Sequence, residues 1–138
     1  MLAFLVTLTG CSTFNRQWER AAAVNAPKDD IMGRWEGSWL SDKNGHTGSL
    51  RCIVKKLNEN QYEFQYKAVY WKIFRYSYTV NMAVQKEEAG HRFQGEENLG
   101  KLAGGVYAYE GKIEGSQFDA TYRCKYDHGT FKMRRLAQ

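Results

Sequence analysis

Apolar and polar positions alternate with a period of two from Gly33 almost to the end of the chain. Phe118, Ala120, Tyr122, Cys124 and Tyr126 share one phase, and Asp119, Thr121, Arg123 and Lys125 share the other. Phe74, Tyr76, Tyr78, Val80, Met82 and Val84 are in phase, as are Tyr62, Phe64, Tyr66, Ala68 and Tyr70. Successive side chains on a strand point to opposite faces, so each run reads as a strand with one covered face. Turn-forming residues recur about every 8 to 14 residues, the spacing of an all-β chain. The pattern predicts eight strands, over 33–40, 49–57, 61–70, 74–86, 91–98, 106–113, 117–126 and 130–136.

No amphipathic helix long enough to cover a sheet follows Gly33. Eight strands joined by short hairpins can cover themselves by closing, which also removes their exposed edges. The expected fold is therefore all-β: an eight-stranded antiparallel up-and-down barrel over residues 33–136. A two-sheet sandwich needs a longer crossover connection, and the sequence offers none.

Before Gly33 the alternation stops. Residues 12–32 (STFNRQWERAAAVNAPKDDIM) read as a polar tether. Asn15 to Val24 is expected to form a short helix capped by Asn15, and Pro27 bars its continuation. Residues 2–8 (LAFLVTL) are apolar apart from Thr7. That is shorter than the roughly 20 residues of a membrane-spanning helix, but it matches a signal-peptide core. By themselves these residues also allow a buried N-terminal strand with an ordinary cysteine.

The next four residues, Leu8-Thr9-Gly10-Cys11, resemble the lipobox of bacterial lipoproteins. In that family the cysteine receives diacylglycerol and becomes the first residue after cleavage. The resemblance implies a signal peptide over 1–10, lipid attachment at Cys11 and a lipidated tether over 11–32. Ser12 after the cysteine is compatible, in such lipoproteins, with outer-membrane sorting. The implied location is the bacterial cell envelope, on the periplasm-facing side of the outer membrane.

Composition narrows the partners. At 43% hydrophobic and 14% aromatic residues, a disordered chain is excluded beyond the N-terminal segment. The formal charge of +5 fits a solvated basic surface or attraction to anionic lipid or an anionic ligand. No run of basic residues is present, so nucleic acid is not an expected partner. If Cys11 is lipidated, Cys52 and Cys124 remain, in a compartment that permits disulfides. Their strands, the second and seventh, are separated by the first and eighth. Three steps of about 4.8 Å exceed the reach of a disulfide in a round barrel, so two buried free thiols are expected.

Gly33-Arg34-Trp35 on the first strand resembles the Gly-x-Trp of lipocalins and the wider calycin group. In that group an arginine on the last strand packs across the tryptophan at the closed end of the barrel. Phe131, Met133 and Arg135 are in phase here, so the resemblance implies Arg135 as the partner of Trp35. The first strand begins, and the eighth ends, at the same barrel end, which agrees. Such a contact contributes about 1–2 kcal/mol when desolvated. Avidin-like barrels and barrel-type protease inhibitors share the same opening. The strings LAGGVY and KYDHGTF are similar to those of uncharacterised bacterial lipoproteins.

Hairpins of an up-and-down barrel alternate between its ends. One end gathers SDKNGHTG, Tyr70-Trp71-Lys72-Ile73, LGKLAGG and Asp127-His128-Gly129. The other holds only NEN, EEAG and EGS, so the first is the expected mouth. The YWKI corner has no Gly, Asn, Asp or Pro to specify a turn. It reads either as a bend within a long strand pair or as an apolar lip that a ligand or membrane touches. Gly104-Gly105 reads as a turn. His46 and His128, with Asp42 and Asp127, form either a hydrogen-bonded loop pair or a metal or heme site, though no compact ligand spacing is present. His91, at the opposite end, is expected at the surface.

Nine tyrosines and seven phenylalanines could fill the barrel or line a cavity. Two functions follow. One is a membrane-anchored, lipocalin-like carrier of a small hydrophobic molecule, with or without an anionic group, held by Tyr66, Tyr70, Trp71, Tyr78, Tyr107, His46 and His128. The other is an envelope interaction protein, or an inhibitor of a secreted enzyme, with a filled barrel. No nucleophile can be set beside a histidine and an orienting acid, so the chain reads as a non-enzyme without cofactor or metal.

Overall fold

The computed structural model describes residues 9–22 and 29–136. The apolar segment 2–8, Pro27 and the expected helix end at Val24 lie outside the described residues. One helix, α1 (Thr9–Ala22), precedes eight strands. These are β1 (Gly33–Ser41), β2 (Thr47–Asn58), β3 (Gln61–Tyr70), β4 (Phe74–Glu87), β5 (Gly90–Asn98), β6 (Val106–Glu114), β7 (Gln117–Arg123) and β8 (His128–Arg135). They form a closed, all-antiparallel barrel in chain order, with β1 hydrogen-bonded to β8. A short 3-10 turn at Lys101–Ala103 and the left-handed Gly104 and Gly105 join β5 to β6.

The alternating phases set the core. Phe64, Phe93, Phe118 and Trp35 pack together in the lower barrel, with ring centroids 4.9 to 6.1 Å apart among the contacting pairs. Above them Tyr66 lies against Tyr78 at 5.2 Å and Phe131 at 5.4 Å. Near the mouth, Tyr122 stacks on Phe131 at 5.0 Å and Trp39 meets Tyr70 at 4.7 Å. Gly48 is needed there. A Cβ on it would overlap the Val69 carbonyl oxygen, which accepts a hydrogen bond from Trp39 Nε1 at 3.0 Å.

The lower end is closed by the residues just before β1. Ile31 is fully buried beneath the barrel, and Trp35 Nε1 donates to its carbonyl at 3.0 Å. Arg135 lies over the Trp35 ring and donates to the carbonyl oxygens of Met32 and Asp30. His91 is buried at this end, only 8% exposed, and not at the surface as its sequence position suggested. It begins the inward phase of β5 and pairs with Ile113, so its ring points into the closed end.

Helix α1 begins at Thr9, and Asn15 lies inside it, not at its cap. Asn15 instead accepts a hydrogen bond from Lys67 Nζ at 2.8 Å. Phe14 and Trp18, four residues apart, share one face and pack on Ile53, with Ala21 and Leu136 beside them. The guanidinium groups of Arg34 and Arg51 lie 5.1 and 5.0 Å from the Trp18 ring centroid. Burial of the two aromatic side chains stabilises this docking by about 1.5–3 kcal/mol each. The helical part of the segment thus lies along the barrel wall.

Closure is not uniform along the barrel. β3 pairs with β4 over its full length, from Gln61↔Ala83 to Tyr70↔Phe74. β4 pairs with β5 only from Ala83↔Gln94 to Glu87↔Gly90. Residues 74–82 and 95–98 therefore have no ladder between them, although 95–98 remain paired to β6. Gly95 still packs on Asn81 and Met82; above them the unpaired strands leave a slit toward the mouth, where Arg75, Leu99 and Gly100 edge a cavity. The Tyr76 hydroxyl, 3.4 Å from the Leu99 carbonyl oxygen, spans it at the top.

Candidate functional site

At the mouth the barrel opens into a cavity of about 850 Å³. Its walls come from alternate residues of five strands: Trp39, Tyr70, Tyr78, Tyr107, Tyr109 and Tyr122, with Phe131 beneath. Its rim comes from the hairpin loops and the top of β4, through His46, Trp71, Phe74, Tyr76 and Leu102. The surface is mostly apolar ring, with hydroxyls spaced among the faces.

Several of those hydroxyls are held internally. The Tyr122 hydroxyl donates to Asp127 Oδ2 at 3.0 Å, while Ser41 Oγ donates to Asp127 Oδ1 at 2.6 Å. The Asp127 carboxylate thus ties loop 124–127 to the end of β1. The Tyr107 hydroxyl lies beside the Cys124 thiol, next to Gly104. Two hydroxyls are left over. Tyr66 Oη is buried without a hydrogen-bond partner among the described residues, and Tyr109 Oη faces the Tyr78 hydroxyl without a well-formed hydrogen bond. Burial pushes both phenols well above their ordinary pKa; neighbouring ionisable groups add to this at Tyr66, while the Tyr78 hydroxyl opposes it at Tyr109. A buried unpartnered hydroxyl costs about 1–3 kcal/mol, so an acceptor or donor brought to it is favoured.

The rim carries an unusual turn. Trp71 and Lys72 both have positive φ, 49° and 65°, and Ile73 N–H donates to Tyr70 O at 3.2 Å. Two consecutive left-handed residues are what a two-residue hairpin turn wants, but Asn-Gly usually supplies them. Here neither residue is Gly, Asn or Asp, and each costs about 1–2 kcal/mol in that conformation. The turn leaves Trp71 71% and Ile73 70% exposed.

The residues expected to share the site separate into two groups. Tyr70, Trp71, Tyr78, Tyr107 and His46 line the cavity together. Tyr66 is fully buried one layer below, and serves as part of its floor. His128 stands on the outer wall, where its Nδ1 is 3.6 Å from Asp42 Oδ2 and the nearest groove is lined by Glu96, Thr121 and Arg123. The histidine loops are neighbours, as the topology requires: Ser41 N–H bonds to His46 O and Asp42 N–H to His128 O, both at 2.9 Å. Among the described residues, no three His, Cys, Asp or Glu side chains group to hold a metal ion. Gly33, Trp35 and Arg135 sit at the closed end, away from the cavity.

Trp39, Tyr109, Tyr122 and Phe131 complete the walls and were not singled out by sequence. A signal existed for each, because all four lie on inward phases near the mouth end of their strands. Cys52 and Cys124 are both free thiols. Cys52 is buried as expected, and burial raises its pKa. Cys124 is only half-buried, because β7 ends at Arg123 and releases it into the loop. The chain matches no family model, no curated protein and no solved structure among those compared.

Proposed function

We propose that this chain is a lipocalin-like carrier that holds one small hydrophobic molecule with a polar or anionic group in the mouth cavity. We further propose that it works in the bacterial cell envelope, anchored through a lipid on Cys11. The observation that carries the ligand reading is a cavity of about 850 Å³ with aromatic walls, the Tyr109 hydroxyl poorly hydrogen-bonded in the wall and the Tyr66 hydroxyl unpartnered below. Ligand pockets of small molecules run from about 300 to 1,000 Å³ and combine apolar lining with a few polar groups. Tyr70, Tyr78 and Tyr107 supply ring faces, and Tyr109 supplies a hydroxyl that lacks a well-formed hydrogen bond. Lys101 and Arg75 on the cavity edge favour an anionic head group.

The filled-barrel reading draws on the lower half, where Phe64, Phe93, Phe118 and Trp35 leave one contiguous core. That packing limits a ligand to the upper half, so the proposed cargo is short or bound with its tail projecting. No catalytic role, metal or cofactor is proposed.

Titration with a dansyl-labelled fatty acid, in buffer without lipid, tests the reading. Saturable binding is expected, and Tyr70→Glu or Tyr107→Glu should weaken it about tenfold or more by placing a charge in the apolar wall. A wild-type chain that leaves the probe unbound, or variants that bind it as well, would overturn the proposal.

A further inference from the structure

The surface of the mouth differs from that of the closed end in two independent ways. Its loops expose Trp71, Ile73, Phe74, Leu102 and Tyr126, with Leu102 wholly exposed. The same loops carry Lys43, Lys72, Lys101 and Lys125 against Asp42 and Asp127. Asp127 is already engaged by Ser41 and Tyr122, which leaves the lysines dominant. The turns at the other end carry Glu59 and Glu88 and no basic residue. Aromatic and aliphatic tips interleaved with lysines suit the interface of an anionic bilayer, where rings enter the head-group layer and ammonium groups meet phosphate.

A third feature concerns orientation. Helix α1 crosses the barrel wall with its N-terminal part over the upper half of β3. There Phe14 and Asn15 contact Lys67, three residues below the mouth at Tyr70. One turn later Trp18 packs on Ile53 and lies between Arg51, level with Lys67, and Arg34, the register partner of Ile53 nearer the closed end. The helix therefore descends from mouth to closed end. Cys11, on its first turn, lies on the mouth side of Phe14, by about 1.5 Å along the axis per residue.

We infer that the mouth is a membrane-docking face, which sets the cavity and the β4–β5 slit against the anionic bilayer that bears the chain's own anchor. Trp71, Ile73 and Leu102 enter the interface, and Lys72 and Lys101 pair with lipid phosphates. A hydrophobic molecule then passes between bilayer and cavity through the slit without crossing water. The orientation rests on the proposed lipidation of Cys11; the docking face rests on the rim alone.

The test uses the full chain with Cys11→Ser, so that no acyl chain contributes, and vesicles of phosphatidylcholine with or without phosphatidylglycerol. Sedimentation should show binding that requires phosphatidylglycerol. K72E/K101E and W71S/I73S should each weaken it about tenfold or more. Leu57→Ser, at an exposed position toward the closed end, should leave it unchanged. Brominated lipids should quench the wild-type tryptophan emission, and Trp71→Phe should remove most of that quenching. Residues 2–8 are the same in every variant, so rim variants that bind like wild type overturn the inference. Quenching that survives Trp71→Phe overturns it too. Probe binding without vesicles is read separately, so failure of docking and failure of the carrier reading are distinct results.

Discussion

The Arg135 guanidinium lies 4.5 Å from the centroid of the Trp35 ring, and the two residues are register partners across β1 and β8. The same guanidinium donates to Met32 O at 2.8 Å and Asp30 O at 2.6 Å. One side chain therefore joins the last strand, the first strand and the segment that plugs the barrel. Arg135→Met keeps the apolar stem but loses the ring contact and both charged hydrogen bonds. Loss of about 2–4 kcal/mol of stability is expected, measured by the midpoint of urea unfolding. Arg135→Lys should recover less than half, because an ammonium cannot span two carbonyls and a ring at once. A midpoint unchanged in Arg135→Met would show that closure does not depend on this contact.

The Trp71-Lys72 turn is expected to trade stability for an exposed tip. Replacing the pair by Asn-Gly relieves two left-handed L-residues and should stabilise the fold by about 1–2 kcal/mol, raising Tm by several degrees. The same variant should lose vesicle binding. A lower Tm would mean that Trp71 makes stabilising contacts larger than the strain, of which the T-shaped contact with Phe74 at 5.8 Å is the candidate.

Strand order was legible because the period-two pattern is long and the barrel's ends follow from counting hairpins; the Trp35–Arg135 pair was implied by the lipocalin resemblance, with the phase of the last strand selecting Arg135. What escaped the sequence has physical reasons. The slit was invisible because alternation continues through residues 74–82 whether or not a neighbour is hydrogen-bonded. The helix was readable, but its docking was not. Phe14 and Trp18 are spaced for one face, and the outward Ile53 that receives them looks like a chance exposed residue until the helix covers it. His91 looked like a surface residue because it abuts a polar turn, yet its inward phase carries it under the closed end.

Acid should weaken the closed end through His91. Burial lowers its pKa below the ordinary 6.5, while Asp30 and Asp29 oppose this and Lys86 and Lys56 reinforce it. Between the lowered folded value and 6.5, the unfolded chain binds the proton that the folded chain refuses. Stability therefore falls as pH drops through that window, and the loss is complete below the folded value. Urea midpoints measured across it should decline in wild type and flatten in His91→Gln. Equal slopes in both chains would assign the decline to other groups.

Alkali should act on the cavity walls. Tyr66, Tyr78, Tyr107, Tyr109 and Tyr122 all have pKa values raised first by burial, and Tyr70 is pushed up to about 12. An unfolded tyrosine ionises near pH 10, so the folded chain holds these protons longer. Their contribution to stability is fully present below about pH 10 and is lost as pH rises above it. Beyond the share of the surface tyrosines Tyr76 and Tyr126, phenolate absorbance should therefore stay low in the folded chain and rise in one step together with the loss of near-ultraviolet dichroism. A gradual rise centred near pH 10, with the fold intact, would mean that water already reaches the walls.

The slit predicts a boundary in amide exchange within one strand. From Ala83 to Glu87, β4 is laddered to β5, and at Ala83 to β3 as well. From residue 75 to 82 it is laddered to β3 alone, so its β5-facing amides have no strand partner. Those amides, and their counterparts in residues 95–98, should exchange about 100-fold or more faster than the β5-bonded amides of residues 83–87, because they need no global opening. Saturating the chain with the dansyl fatty acid should slow exchange around Tyr76 and Tyr78 more than at Val84, since those side chains line the cavity below the slit. Uniform protection along β4 would mean that β4 and β5 pair to the mouth in solution, leaving the cavity only its axial entrance.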